Sequence, residues 1–154
     1  MAFAIIRVRG QADVNYNIRH TMELIGLNKV NHCVVMPETD SMKGMLQMIK
    51  DYCTWGEVDS ETLAEMIRQR GKIDGGDDLS EDFLKENTEF ANADEMAKAI
   101  IENDYRMKNV EGAKPIFRLH PPRKGYEGIK RSYVSGGALG YRGKDINILV
   151  KRML

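Results

Sequence analysis

Any chemistry in this 154-residue chain must be sought in its three histidines, its two cysteines and a glycine-rich run ahead of a lysine. His20, His32 and His120 fall in separate segments, and no HExxH or paired-ligand spacing joins them. Cys33 and Cys53 form no CxxC, and their apolar neighbours mark them as buried thiols of a reducing compartment. No GxSxG nucleophile elbow is present, and the acidic residues fall on expected helix faces as solvated charge. The run Gly136-Gly137-Ala138-Leu139-Gly140-Tyr141-Arg142-Gly143-Lys144 comes nearest to a nucleotide loop, since glycines ahead of a helix can present N–H groups to phosphate. It lacks the GxxxxGK[ST] order, because Asp145 follows Lys144. The residues point away from catalysis, and neither a cofactor nor a metal is expected.

The same glycines suit a long polyanion better. Glycine lets backbone approach a phosphodiester, and Lys or Arg neutralises it. Arg118, His120, Arg123, Lys124, Lys130, Arg131, Arg142 and Lys144 are interleaved with Tyr126, Tyr133 and Tyr141, whose rings can stack on unpaired bases. Net charge conceals this segment, being +0 for the whole chain. Residues 1–56 hold six Lys/Arg against five Asp/Glu, residues 57–111 seven against sixteen, and residues 112–154 ten against two. The basic end should attract polyanions and the acidic middle should be repelled by them. Arg7 and Arg9 alternate with Ile6 and Val8, so both are expected on the solvent side of their strand. There they are either ordinary edge charges or, with His32 and Lys43, a second phosphate-binding strip.

The elements that position these residues follow from periodicity. Phe3 to Arg9 is β-branched and apolar and reads as a strand ended by Gly10. Asn15 caps a helix with Ile18, Met22 and Ile25 on one face, stopped at Gly26. His32 to Met36 is a second strand. Asp40 or Ser41 caps a helix carrying Met42, Met45, Leu46, Ile49 and Cys53, and a short third strand surrounds Trp55 to Val58. An α+β sandwich with its helices on one sheet face is the economical packing. Beyond Val58 the chain is acidic and helical, with starts at Ser60, Ser80 and Asn92. The last of these helices should carry Met96, Ala99, Ile100 and Tyr105 near one face. Ile116 to Leu119 reads as a strand, and a Gly- and Pro-rich loop then leads to a terminal helix from Asp145. The divisions are 1–58, 59–111 and 112–154, the middle part reading as an insertion or second lobe. No apolar run approaches the roughly 20 residues of a membrane span, and no secretory leader is visible, so a cytoplasmic protein is expected.

Ile6-Arg7-Val8-Arg9-Gly10, Val30-Asn31-His32-Cys33, Pro37-Glu38-Thr39-Asp40, Lys43-Gly44-Met45 and Trp55-Gly56 together resemble the N-terminal half of the large-subunit ribosomal protein L-thirty family. Arg118-Leu119-His120-Pro121-Pro122-Arg123-Lys124-Gly125, with Gly136-Gly137 and Gly140, resembles its archaeal branch, whose eukaryotic relative is called L-seven. Bacterial members resemble only about the first 58 residues. The likeness implies a ferredoxin-like β-α-β-α-β core, a helical second region and large-subunit rRNA binding without catalysis. Lys43 stands where the family has arginine, keeping the charge without the planar fork. Lys124 stands where relatives commonly have glycine. Met1 leads almost directly into the first strand, without the long basic extension of eukaryotic members, which points to an archaeal source.

The implied partners are large-subunit rRNA and neighbouring large-subunit ribosomal proteins, with the basic tail threading between rRNA helices and the acidic region facing solvent or a basic neighbour. A chain ending at Gly112 should then bind rRNA more weakly than the full one. Two rivals predict otherwise: a ferredoxin-like small-molecule-binding regulatory domain needs a concave apolar pocket, and a phosphate-handling enzyme would use the Gly136–Lys144 loop.

Overall fold

A computed structural model of the chain describes residues 2–10, 12–102, 106, 109 and 112–154. Its strands are β1 (Ala2–Arg7), β2 (His32–Pro37), β3 (Cys53–Glu57), β4 (Phe117–Arg118), β5 (Gly128–Ser132) and β6 (Gly137–Tyr141). Its helices are α1 (Tyr16–Ile25), α2 (Asp40–Ile49), α3 (Ser60–Arg70), α4 (Glu81–Asn87), α5 (Ala93–Ile101) and α6 (Ile146–Met153). The six strands form one mixed sheet in the order β4-β2-β1-β3-β6-β5. β1 runs antiparallel to both β2 and β3, β4 antiparallel to β2, and β6 parallel to β3. The architecture is α+β.

Local chemistry sets most helix ends. Asn15 accepts from the Asn17 amide at the start of α1, and Gly26 closes that helix at φ 102°, where a side chain would be strained. The α2 cap is Thr39, ahead of the expected Asp40 or Ser41: its hydroxyl accepts from the Met42 amide. Asp59, Ser80 and Asn92 cap α3, α4 and α5 in the same way. Cys53, expected on α2, begins β3 instead, because Lys50 ends the helix and the Tyr52 amide bonds the Ile49 carbonyl.

The two helices of the N-terminal unit share one sheet face, as expected, and the later helices cover the other. α1 and α2 place Met22, Ile25, Leu46 and Ile49 against Phe3, Ile5, Val34 and Trp55. On the other face Leu63, Met66, Ile67, Met96, Ile100, Leu149 and Val150 pack on Ala4, Ile6, Cys33, Val35 and Phe117. The acidic helices α3 and α5 thus turn their apolar stripes inward and their charges outward. Tyr105 lies outside the described residues. Every residue of β1 is buried, so its alternation separates two cores rather than core from solvent. Arg7, expected on a solvent side, is only 1% exposed for that reason.

The segment read as a loop between His120 and Gly143 contains β5 and β6. Glycine permits β6 to come so close to β5 that a Cβ at Gly137 would lie 2.2 Å from the Arg131 carbonyl oxygen. The pairing of these two strands is interrupted by a register shift between Gly128 and Ser132.

Candidate nucleic-acid interface

The basic surface begins at the β4 edge of the sheet. β2–β4 pairing sets His32 opposite Arg118. Beside them, Asn28, Lys29, Lys114, Pro115 and Ile116 complete a cavity of about 430 Å³. Among the described residues three cations and a histidine line it, with no carboxylate. His32 Nδ1 is buried and has no hydrogen-bond partner among the described residues. Burial first, then Arg118, Lys29 and Arg7, holds the His32 pKa below its ordinary value. An anion entering this cavity would meet converging positive charge and relieve that repulsion.

From β4 the chain runs through His120, Arg123 and Lys124, all exposed. Here the backbone is strapped to the end of α6. The His120 amide donates to the Met153 carbonyl at 2.9 Å, and the Arg123 amide to the Arg152 carbonyl at 3.0 Å. Arg152 in turn donates through Nε and Nη2 to the Arg123 carbonyl at 2.9 and 2.7 Å, and through Nη2 to the Gly125 carbonyl at 2.6 Å. One arginine thereby satisfies the loop carbonyls while the Arg123 and Lys124 side chains remain in solvent. Farther on, Tyr126 Oη donates to Asn31 Oδ1 at 2.6 Å, tying the loop to the head of β2. Lys130 and Arg131 lie on the fully exposed strand β5. The strand order puts them at the sheet edge opposite Arg118, roughly 24 Å away at ordinary strand spacing.

Other candidates are held elsewhere. Arg7 donates through Nε to the Arg9 carbonyl and through Nη1 to the Leu27 carbonyl, both at 2.9 Å. Arg9, half-buried, lies over the Tyr52 ring at 5.1 Å. Arg142 is 6% exposed. It donates through Nε to Thr54 Oγ1 and through Nη2 to the Ala138 carbonyl, each at 2.9 Å. Burial lowers the pKa of both Arg7 and Arg142. Tyr133 donates to Asp145 and carries the Arg142 guanidinium 4.8 Å above its ring. Tyr141 donates to Glu57. Lys43 pairs with Glu38 at 3.3 Å. Lys144 is exposed beside Glu57, Asp59 and Lys151, away from the β4 edge.

The family described as ribosomal protein L30p/L7e matches residues 3–53. The chain is 47% identical over 152 residues to the large ribosomal subunit protein uL30 of Methanobrevibacter smithii, covering 99% of each chain. It is 44% identical to the protein of that name from Methanosphaera stadtmanae, again over 99% of each. With the one from Archaeoglobus fulgidus it shares 45% identity over 98% of this chain and 99% of the relative. The chain belongs to the uL30 family. Its uL30 relatives match it through the acidic helices and the basic segment as well as the N-terminal strands.

Within this uL30 chain the sequence motifs separate into two kinds. Asn31, His32, Arg118, Arg123 and Lys124 build or border the basic edge, whereas Arg7 ties down the loop after α1, Gly56 admits the turn before α6 and Arg142 links β6 to β3. Lys124 adopts φ 67°, the left-handed conformation that glycine takes without strain, so lysine retains the loop geometry at a conformational cost. Lys29 and Lys114 were not singled out by spacing. Their positions, next to the Asn31-His32 motif and at the start of the basic segment, were the only signal available.

Proposed function

We infer that this chain is a structural, non-catalytic constituent of the large ribosomal subunit that binds and positions large-subunit rRNA. Identity of 44–47% over nearly the whole length of proteins named large ribosomal subunit protein uL30 carries the reading. The proposed contact surface is the basic edge: His32 and Arg118 with Lys29 and Lys114 around the cavity, then His120, Arg123 and Lys124, with Lys130 and Arg131 reaching a second RNA segment. Phosphate neutralisation would supply affinity and RNA shape the specificity. A rigid rim replaces the threading tail, since the Arg152 straps hold the loop against α6. The outward charges of α3, α4 and α5 would face solvent or a basic neighbouring protein, in a cytoplasmic ribosome.

We propose the divisions 1–58, 59–111 and 112–154 as charge-defined functional parts. One hydrophobic core joins residues of all three, so they are not offered as independent folding units. The first is read as ferredoxin-like on its β1-α1-β2-α2-β3 order, with α1 and α2 against the same sheet face.

Ending the chain at Gly112 would remove β4, β5, β6 and α6 together with Phe117, Leu149 and Val150 of the core, so point substitutions are the sounder test. The full chain should co-sediment with large subunits through a moderate salt wash. Release of the wild type under conditions that leave other ribosomal proteins attached would remove the assignment.

A further inference from the structure

A second cleft lies on the α2 side of the sheet, and its chemistry is opposite to that of the basic edge. Phe3 faces Glu57 across the β1–β3 pair, and Trp55 faces Tyr141 across the β3–β6 pair. Trp55 and Glu57 are two residues apart on one strand, so the four side chains share a sheet face. α2 raises the wall with Lys43, Leu46 and Gln47, and Glu38 closes the end, enclosing about 350 Å³. Phe3 and Tyr141 meet edge to face at 6.4 Å between ring centroids. Tyr141 remains 45% exposed, offering its ring to an occupant.

The charges select the occupant. Glu38 and Glu57 are the carboxylates and Lys43 the cation of the lining. Lys43 is already committed to Glu38. Glu57 Oε1 accepts a hydrogen bond from the Tyr141 hydroxyl, and the carboxylate keeps further lone pairs for another donor. Its hydrogen bond to Glu57, with burial, pushes the Tyr141 phenol up to about 12, so it stays a neutral donor and braces the carboxylate. A phosphate would be repelled by the uncompensated acid. A planar guanidinium can lie on the Tyr141 ring and bridge to Glu57 in its plane, which an ammonium does less well.

We propose that this cleft is a docking site for an arginine side chain from a basic segment of a partner protein, distinct from the RNA-facing edge. The proposal does not depend on the RNA reading, and the two fail separately. Trp55, the only tryptophan of the chain, lines the cleft and reports its occupancy by fluorescence.

The full-length protein is titrated with an acetylated, amidated Gly-Arg-Gly-Arg-Gly peptide. The matching Asp peptide and an rRNA fragment serve as comparison ligands. The Arg peptide should give a saturable Trp55 change that the Asp peptide does not, with the RNA bound at the same time. Glu57→Gln retains an acceptor for Tyr141 but loses the charge, and should weaken the peptide roughly three- to ten-fold. Lys43→Met, which releases Glu38 for the peptide, should tighten it while leaving rRNA affinity unchanged. The proposal is overturned by an unsaturable response, by equal peptide affinity in Glu57→Gln and wild type, by weaker peptide binding in Lys43→Met, or by RNA displacing the peptide.

Discussion

Replacing Arg142 with methionine strands two acceptors, Thr54 Oγ1 and the Ala138 carbonyl, inside the sheet where β3 and β6 meet. That change should cost roughly 2–4 kcal/mol of stability in urea unfolding and leave the salt dependence of RNA binding unaltered. Arg123→Gln should do the reverse. Its backbone carbonyl, not its side chain, engages Arg152, so stability should stay within about 0.5 kcal/mol while the salt slope falls by roughly 0.7–0.9. His32 gives a pH signature. Its folded pKa lies below the ordinary value of about 6.5, through burial and the neighbouring Arg118, Lys29 and Arg7. As pH falls through that value, the unfolded chain takes up a proton that the folded one resists, so stability declines. The drop in melting temperature between pH 7 and pH 5.5 should be smaller for His32→Gln; equal drops would remove the assignment of this acid sensitivity to His32.

Among the elements, β3 is closely approached at Gly56 by the turn before α6. A Cβ at Gly56 would stand 1.8 Å from the Gly143 carbonyl oxygen and 2.9 Å from its carbon, a backbone contact that cannot rotate away. Gly56→Ala should therefore cost about 3 kcal/mol or more in a calorimetric melt. A cost below about 1 kcal/mol would mean that the turn preceding α6 is not held against β3. The helices were legible because their signals are local: Asn15 with Gly26, Ser80 and Asn92 each act within a turn or two of their own chain. β5 and β6 were not legible. Their glycines resemble loop composition, and β6 is a strand because it pairs with β3, more than eighty residues away. The same distance hid Arg142, whose partner Thr54 lies on β3.

At the scale of the whole molecule, a chain of zero net charge is divided into fields of opposite sign. The acids of residues 57–111 outnumber the bases sixteen to seven, yet the helices bearing them fold onto the same sheet that carries the basic edge. Filter binding of rRNA over a salt series should show this separation. Replacing Arg118, Arg123 and Lys124 together with glutamine should lower the slope of log affinity against log salt by about 2–3. Neutralising Glu81, Asp82 and Glu86 on α4 should change it by well under 1, because a lobe outside the contact releases no bound counterions there. Equal changes in the two variants would show that the basic edge is not the principal contact.

By itself the sequence determined the family resemblance, the α+β class, the caps at Asn15, Ser80 and Asn92, the buried thiols and the segregation of charge. These rest on residue types and spacings within short windows. Only the tertiary structure decided that helices cover both sheet faces, that the Gly-rich segment supplies β5 and β6, and which basic residues reach solvent. Arg7 and Arg123 have the same side chain. One sits on a strand buried on both faces, where two carbonyls accept from Nε and Nη1 while burial still lowers its pKa; the other belongs to a strapped loop in water. Burial is a property of what packs against a residue, and at β1 that packing comes from α1 and α2 on one face and from the more distant α3, α5 and α6 on the other.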